Sequence, residues 1–191
     1  MSGKLGDGSR CRPARADRAI TKETWEDMLQ LRTATLADAS AIAAIYNQGI
    51  EDRVATYETT LRSPADIQSW FDGSHPIVVA EEDHEIIAFA STSTYRPRPC
   101  YAGIAEFSVY VKRERRRGGI GRITLEALLQ AAEAAGFWKL VSRVFVENTA
   151  SRALLKSLGF REVGIYYKHA RLDGVWTDVM IVERLLPANL T

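Results

Sequence analysis

The stretch that most constrains this chain is Val109-Tyr110-Val111-Lys112-Arg113-Glu114-Arg115-Arg116-Arg117-Gly118-Gly119-Ile120-Gly121. A strand pattern ends, a basic glycine-rich turn follows, and the strongest helical pattern of the chain begins. Ile123, Leu125, Ala127, Leu128, Leu129 and Ala132 recur at helical spacing over Gly119 to Ala135, and Gly136 closes the helix. Such a junction aims several backbone N–H groups and the positive end of a helix dipole at one point, a natural seat for a phosphate or pyrophosphate. Glycines 118, 119 and 121 keep Cβ atoms out of the anion's way and tolerate strained backbone. The flanking arginines add charge-assisted hydrogen bonds. The Gly-x-Gly-x-x-Gly order of dinucleotide sites is absent, and no Gly-Lys-Ser/Thr triplet opens the helix, so this is neither of those phosphate sites.

Strand and helix signals alternate around that junction. Leu29 to Ala34 reads as a strand. Asp38 is expected to N-cap a helix carrying Ile42, Ile45, Tyr46 and Ile50 on one face. Ser63-Pro64-Ala65-Asp66 opens another helix. Ile77 to Ala80 and Ile86 to Ser91 read as strands joined at Glu82-Asp83-His84, and Glu106 to Val111 as a third. Leu140 to Val146 is a strand, Thr149 to Leu158 a helix, Phe160 to Ala170 a strand, Asp173-Gly174 a hairpin turn and Val175 to Leu185 the last strand. No internal repeat is present. The order βαα-βββ-α-β-α-ββ predicts an α/β domain with an antiparallel first half, built as one mixed sheet with helices on both faces.

The chain has 191 residues, enough for one ordinary domain. Residues 1–27 are rich in Gly, Arg, Asp and Ser, lack an apolar periodic face and carry too many acids for a targeting peptide, so they read as a disordered extension to a domain over 28–191. Met28 stands directly before the first strand pattern and is a candidate native start, which would make the upstream residues an artefact. Twenty-five Lys and Arg balance 24 Asp and Glu to a formal charge of +1, which argues against whole-protein attraction to nucleic acid or an anionic membrane. No run approaches the length of a membrane span. Cys11 and Cys100 form no disulfide framework, so the chain reads as cytoplasmic. His75, His84 and His169 have no metal-ligand spacing, and no metal is expected.

Arg116-Arg117-Gly118-Gly119-Ile120-Gly121 resembles the pyrophosphate-binding pattern Gln/Arg-x-x-Gly-x-Gly/Ala of the GNAT N-acetyltransferases. Asn148-Thr149-Ala150-Ser151 and Leu158-Gly159-Phe160 are similar to the segment that lines the other side of the coenzyme in that family. The resemblance covers about Leu31 to Leu186. Glu106-Phe107-Ser108-Val109-Tyr110-Val111, with Lys168-His169-Ala170-Arg171-Leu172-Asp173-Gly174-Val175-Trp176-Thr177-Asp178-Val179, looks like the phosphinothricin and arsinothricin N-acetyltransferase branch. This implies a GNAT acyl-CoA N-acyltransferase fold, acetyl-CoA as co-substrate, a small amine acceptor bearing anions, and a homodimer.

An α-amine is protonated at neutral pH, with a free pKa of roughly 8, so something must take its proton before it attacks a thioester. The resemblance puts the general base at Glu106, whose apolar neighbours Ala105 and Phe107 would make its carboxylate more basic. The main chain of Val109, Tyr110 and Val111 would pair with the pantetheine arm, and an N–H there could stabilise a developing oxyanion. Arg116, Arg117, Gly118, Gly119, Ile120, Gly121 and Arg122 would hold the pyrophosphate. Asn148 caps the next helix or hydrogen-bonds the pantetheine, and Ser151 lies beside it. Leu155 stands where many relatives carry a proton-donating tyrosine, so the thiolate leaves unassisted, or water, Tyr110 or Tyr166 serves it. Arg96 and Arg98, on a proline-stiffened loop, suit a doubly anionic acceptor, and Tyr57, Tyr101 and His169 would shape its pocket. Glu58 and His169 are the next candidates for a base. Trp70 and Trp176 read as core or dimer contacts. Rival readings are a protein N-terminal acetyltransferase, a non-catalytic acyl-CoA-binding module, and a nucleic-acid patch at Lys112 to Arg117.

Overall fold

A computed structural model describes residues 29–190. The expectations for residues 1–27, including Cys11, and for Met28 lie outside the described residues. Seven strands form one sheet: β1 (Leu29–Thr33), β2 (Ile77–Glu82), β3 (Glu85–Thr94), β4 (Ile104–Val111), β5 (Lys139–Phe145), β6 (Arg161–Leu172) and β7 (Val175–Leu185), in the order β1-β2-β3-β4-β5-β7-β6. All neighbours are antiparallel except β4 and β5. A parallel pair needs a crossover of a dozen or more residues, and the helix after the glycine-rich turn provides it. The expected mixed sheet is present.

The helices are α1 (Ala39–Asp52), α2 (Pro64–Gln68), α3 (Ile120–Ala134) and α4 (Thr149–Ser157). The two faces have separate cores. On one, Leu125, Leu128 and Ala132 of α3 and Leu155 of α4 pack with Ala105, Phe107, Leu140 and Val182. On the other, Ile42 and Ile45 of α1 pack with Val79, Phe89 and Tyr110, and Trp70 packs against this group with its ring edge-on to Tyr46 at 5.4 Å. Trp70 is therefore core. Trp176 is half-exposed on the β6–β7 hairpin beneath the Arg171 guanidinium, 4.4 Å from its ring centre.

Two local details differ from the sequence reading and a third agrees with it. Asp38 does not cap α1 with its side chain. Its carboxylate instead accepts two hydrogen bonds from the Arg32 guanidinium at 2.8 Å each, and one from the Thr35 N–H at 2.8 Å. A two-pronged charged donor outcompetes a neutral N–H for the same oxygens. The helix is entered through one 3-10 turn, Leu36–Asp38. Second, β2 and β3 run closer together than expected and are joined by Asp83 and His84 alone, with φ of 49° and 64°. That geometry matches the twist of the strands it links. Third, α2 starts at Ser63 as expected: Ser63 accepts from the Asp66 N–H at 3.2 Å while Asp66 accepts from the Ser63 N–H at 2.7 Å, and the helix is five residues long.

Candidate active site

The parallel ladder between β4 and β5 is short. It pairs Ile104 with Lys139, Ala105 with Leu140 and Glu106 with Val141, and then the strands part. Beyond Glu106 the β5-facing main chain of β4 has no strand partner. The narrow slot so opened is lined by Phe107, Ser108, Val109 and Tyr110 from β4 and by Ser142, Arg143, Val144 and Phe145 from β5. Unpaired β-strand edges take another extended chain, which is the shape of a pantetheine arm. Asn148, Ser151 and the buried Leu155 close its floor. Asn148 Oδ1 accepts from the Ser151 N–H at 3.0 Å, and Nδ2 donates to the Val54 carbonyl at 3.1 Å. Its cap role is thus present, with its second amide edge spent on the loop after α1.

At the end of β4 the chain turns into α3. Arg117 and Gly119 both hold left-handed backbone, with φ of 69° and 82°. A Cβ on Gly119 would meet nothing within 4 Å, so the conformation rather than crowding calls for glycine there; at Gly121 a Cβ would come 3.2 Å from Val111 Cγ2. Among the described residues, the backbone N–H groups of Arg117, Gly118, Gly119, Ile120 and Gly121 have no protein acceptor. That fits a pyrophosphate on the first turn of α3.

The arginines of the turn have other work. Arg113 pairs with Asp52 at 2.8 Å, Arg116 with Asp52 at 2.5 Å, Arg115 with Glu82, Lys112 with Glu85, and Arg122 with Glu126 at 3.1 Å. Arg116 Nε also donates to the Val111 carbonyl at 3.1 Å. The pairs of Lys112, Arg113, Arg115 and Arg116 clamp the turn to α1 and to the β2–β3 hairpin, while that of Arg122 stays within α3. Arg117 has no acidic partner among the described residues, so the main chain and Arg117 are what the turn presents to an anion.

Next to the slot, on the side of Glu106, lies a cavity of about 350 Å³ lined by Tyr95, Arg96, Tyr101, Ile104, Glu106, Lys139, Arg143, Val163, Tyr166 and Glu183, among others. Glu106 ion-pairs with Arg143. Burial pushes its carboxyl above the ordinary carboxylate range, and the charges of Arg143 and Arg96 oppose that only in part. A carboxylate so placed is a competent proton acceptor.

The structure brings Glu106, Arg96, Tyr101 and Tyr166 together and leaves three expected acceptor residues outside the cavity lining. Tyr57 stands on the slot side, its ring 4.8 Å from Phe145 and its hydroxyl donating to the Thr177 carbonyl at 3.4 Å. Arg98 is exposed at the entry to the 3-10 turn Pro99–Tyr101. His169 reaches the cavity only through Tyr166, at 5.2 Å between rings. Glu58 is held by Arg62 at 2.6 Å. The Tyr110 hydroxyl lies with those of Tyr46 and Thr56 in the core beneath α1, where burial pushes it far up. Arg143 was missed from the sequence. Its signal was one charged residue in the middle of Leu140-Val141-Ser142-Arg143-Val144-Phe145. No group of three or more His, Cys, Asp or Glu side chains among the described residues is arranged to hold a metal ion, and no helix among them is long and apolar enough to cross a membrane.

The sequence profile of the acetyltransferase (GNAT) family matches residues 42–160. This chain belongs to the GNAT acetyltransferase family. An L-methionine sulfoximine/L-methionine sulfone acetyltransferase of Pseudomonas aeruginosa is 33% identical over 158 residues, covering 80% of this chain and 92% of that protein. A GNAT phosphinothricin acetyltransferase from Sinorhizobium meliloti, solved in complex with AcCoA, superposes with a TM-score of 0.78 at 32% identity, covering 83% of this chain and 89% of that one. A ribosomal-protein-alanine N-acetyltransferase from Brucella melitensis superposes at 0.79 with 32% identity, covering 82% and 99%. The GNAT chain described here is an acetyl-CoA-dependent acetyltransferase.

Proposed function

We propose that this enzyme moves an acetyl group from acetyl-CoA to the α-amine of a small anionic amino-acid analogue of the methionine sulfoximine, phosphinothricin or arsinothricin type, a detoxifying reaction. One observation carries the reading: Glu106 stands where β4 and β5 part, in the wall of a cavity that presents Arg96 and Arg143 and adjoins the slot through Ser142 and Arg143. The relatives named for methionine sulfoximine and phosphinothricin point to the same acceptor class.

When bound, acetyl-CoA supplies the activated acetyl group. The free N–H groups of Arg117 to Gly121 would hold its pyrophosphate, and the unpaired edge of Phe107 to Tyr110 its extended arm. Arg96 and Arg143 orient the acceptor's anions. Glu106 takes the proton from the acceptor's ammonium and leaves a nucleophilic amine beside the slot. Leu155 lines the slot and cannot donate a proton. Tyr166, which lines the adjoining cavity with Tyr95 and Tyr101, is the candidate to serve the departing thiolate. The basic run at Lys112 to Arg116 is neutralised by Asp52, Glu82 and Glu85, which supports an anion seat rather than a nucleic-acid surface. Exposed Tyr167, Val175 and Trp176 on the outer hairpin support a homodimer, and the exposed free thiol of Cys100 suits a cytoplasmic enzyme.

The test is CoA release from acetyl-CoA with L-methionine sulfoximine, phosphinothricin, arsinothricin and a peptide with a free N-terminal alanine. Turnover of the small anionic amino acids is expected. Turnover of the peptide alone would overturn the reading.

A further inference from the structure

The site contains an ion pair that the reaction as described does not explain: Arg143, assigned above to the acceptor's anions, is bound to the base Glu106. Val141 of β5 lies opposite Glu106 of β4, and Arg143 is the next residue along the same face of β5. There the strands have already parted, and the Arg143 side chain reaches back across the gap to ion-pair with Glu106. Arg143 lines both the slot and the acceptor cavity. It sits between donor and acceptor, and its partner is the group that must accept a proton.

That pairing opposes the chemistry. A carboxylate held by a guanidinium is a weaker base, and its oxygen is occupied. The pair is nevertheless open to water: the Arg143 side chain is 43% exposed and that of Glu106 26%. Pairs so exposed are weak and readily exchanged. The other charged groups of the cavity do not compete for Arg143. Lys139 and Arg161 share Glu183, with Lys139 at 2.9 Å, and Arg96 lies over the Tyr95 ring at 5.3 Å. Tyr101 and Tyr166 are phenols. Counting Lys139, Arg96 and Arg143 against Glu106 and Glu183, the cavity carries one cation more than it has acids.

We infer that Arg143 is an exchangeable latch on Glu106: an anionic group of the acceptor takes over its guanidinium, and the freed carboxylate accepts the proton from the same acceptor's ammonium. The inference rests on the acceptor class proposed above. In this step one N–H bond of the ammonium breaks, its proton goes to a Glu106 oxygen, and the nitrogen keeps the electron pair with which it attacks. Arg143 is a positioning residue, and it makes the base available only when an anionic acceptor has arrived.

The experiment compares L-methionine sulfone with its α-carboxamide as acceptors, for the wild type and for Arg143→Gln and Arg143→Lys. Acetyl-CoA binding by calorimetry confirms that the variants are folded. The wild type should favour the free acid. In Arg143→Gln the ratio of kcat/KM for acid over carboxamide should fall about ten- to a hundredfold, the size of one lost charge-assisted contact, mostly through KM. Differences in amine basicity cancel in that comparison. The acid limb of kcat/KM should move to higher pH, because Glu106 loses the cation that lowers its pKa; Arg143→Lys should restore part of both. A wild type that shows no preference for the acid would overturn the acceptor reading and this inference with it. A wild type that prefers the acid, with an Arg143→Gln variant of the same ratio and the same acid limb, would overturn the inference alone.

Discussion

Two carboxylates in this fold stand beside arginines, and they behave in opposite ways. At the base of α1, Asp38 is 8% exposed, takes two bonds from Arg32, and is held at about pH 2, chiefly by those hydrogen bonds. Where β4 and β5 part, Glu106 faces Arg143, yet burial wins and its carboxyl titrates above the ordinary range. The difference is the number of donors aimed at each. Asp38 also receives the Thr35 N–H and hydroxyl, at 2.8 and 3.1 Å, so its charge is fully met. Glu106 has one guanidinium on one oxygen and an apolar strand behind it. The first arrangement satisfies a carboxylate fully; the second leaves one with a raised pKa and a single exchangeable partner, as the proposed proton acceptor needs.

The largest effect expected from this contrast is on turnover. Glu106→Gln keeps the side-chain shape and should lower kcat by roughly 10²–10⁴, the contribution of a positioned base. Its stability at neutral pH should hold or rise, because a carboxyl whose folded pKa is raised favours folding only in its protonated form, below that raised pKa. Thermal melts alongside the kinetics check both halves. Gly119→Val, which forces a β-branched residue to a φ of 82°, should weaken acetyl-CoA binding about tenfold or more through backbone strain; calorimetry in a folded variant reads this directly. Arg96→Ala should raise the acceptor KM about tenfold and leave acetyl-CoA affinity alone, whereas Arg98→Ala, outside the cavity lining, should change neither.

Asp38→Asn should show the reverse of the Glu106 pattern. It leaves turnover intact and costs up to about 2 kcal/mol of stability at neutral pH. The sign follows from the lowered pKa: the stabilisation is present above the unfolded value near 3.8 and disappears as pH falls through about 2. Wild type and variant should therefore converge in stability on acidification. A variant that stays equally destabilised at pH 2 would show that the arginine contacts do not depend on the charge of Asp38.

What could be read from the sequence was local or periodic. The apolar spacing of α3, the Ser63-Pro64 start of α2, and the glycine-rich turn from strand to helix at Gly118 to Gly121 each depend on residues a few positions apart. The fold class followed from the order of those elements. The parts that could not be read depend on pairing across long separations. Asp38 looked like a cap because Arg32 and Glu81 come together beside it only when β1 pairs with β2. The arginines of the turn looked free for phosphate because Asp52 and Glu82 approach them only in the folded sheet. Arg143 meets Glu106 through a three-residue parallel ladder between strands some 35 positions apart, and no local pattern encodes that register. Tyr57 was placed by resemblance alone, and the structure puts it against Phe145 instead.

The most direct test is the pH dependence of turnover in the wild type and in Glu106→Gln, with the preferred small amino-acid acceptor at saturating acetyl-CoA. If Glu106 takes the ammonium proton, the wild type should vary little between neutral and mildly alkaline pH. The variant should start roughly 10²–10⁴ lower and climb steeply as the free-amine fraction grows and solvent does the deprotonation. A Gln variant with wild-type turnover and the same flat profile would contradict this account and leave Glu106 a structural residue.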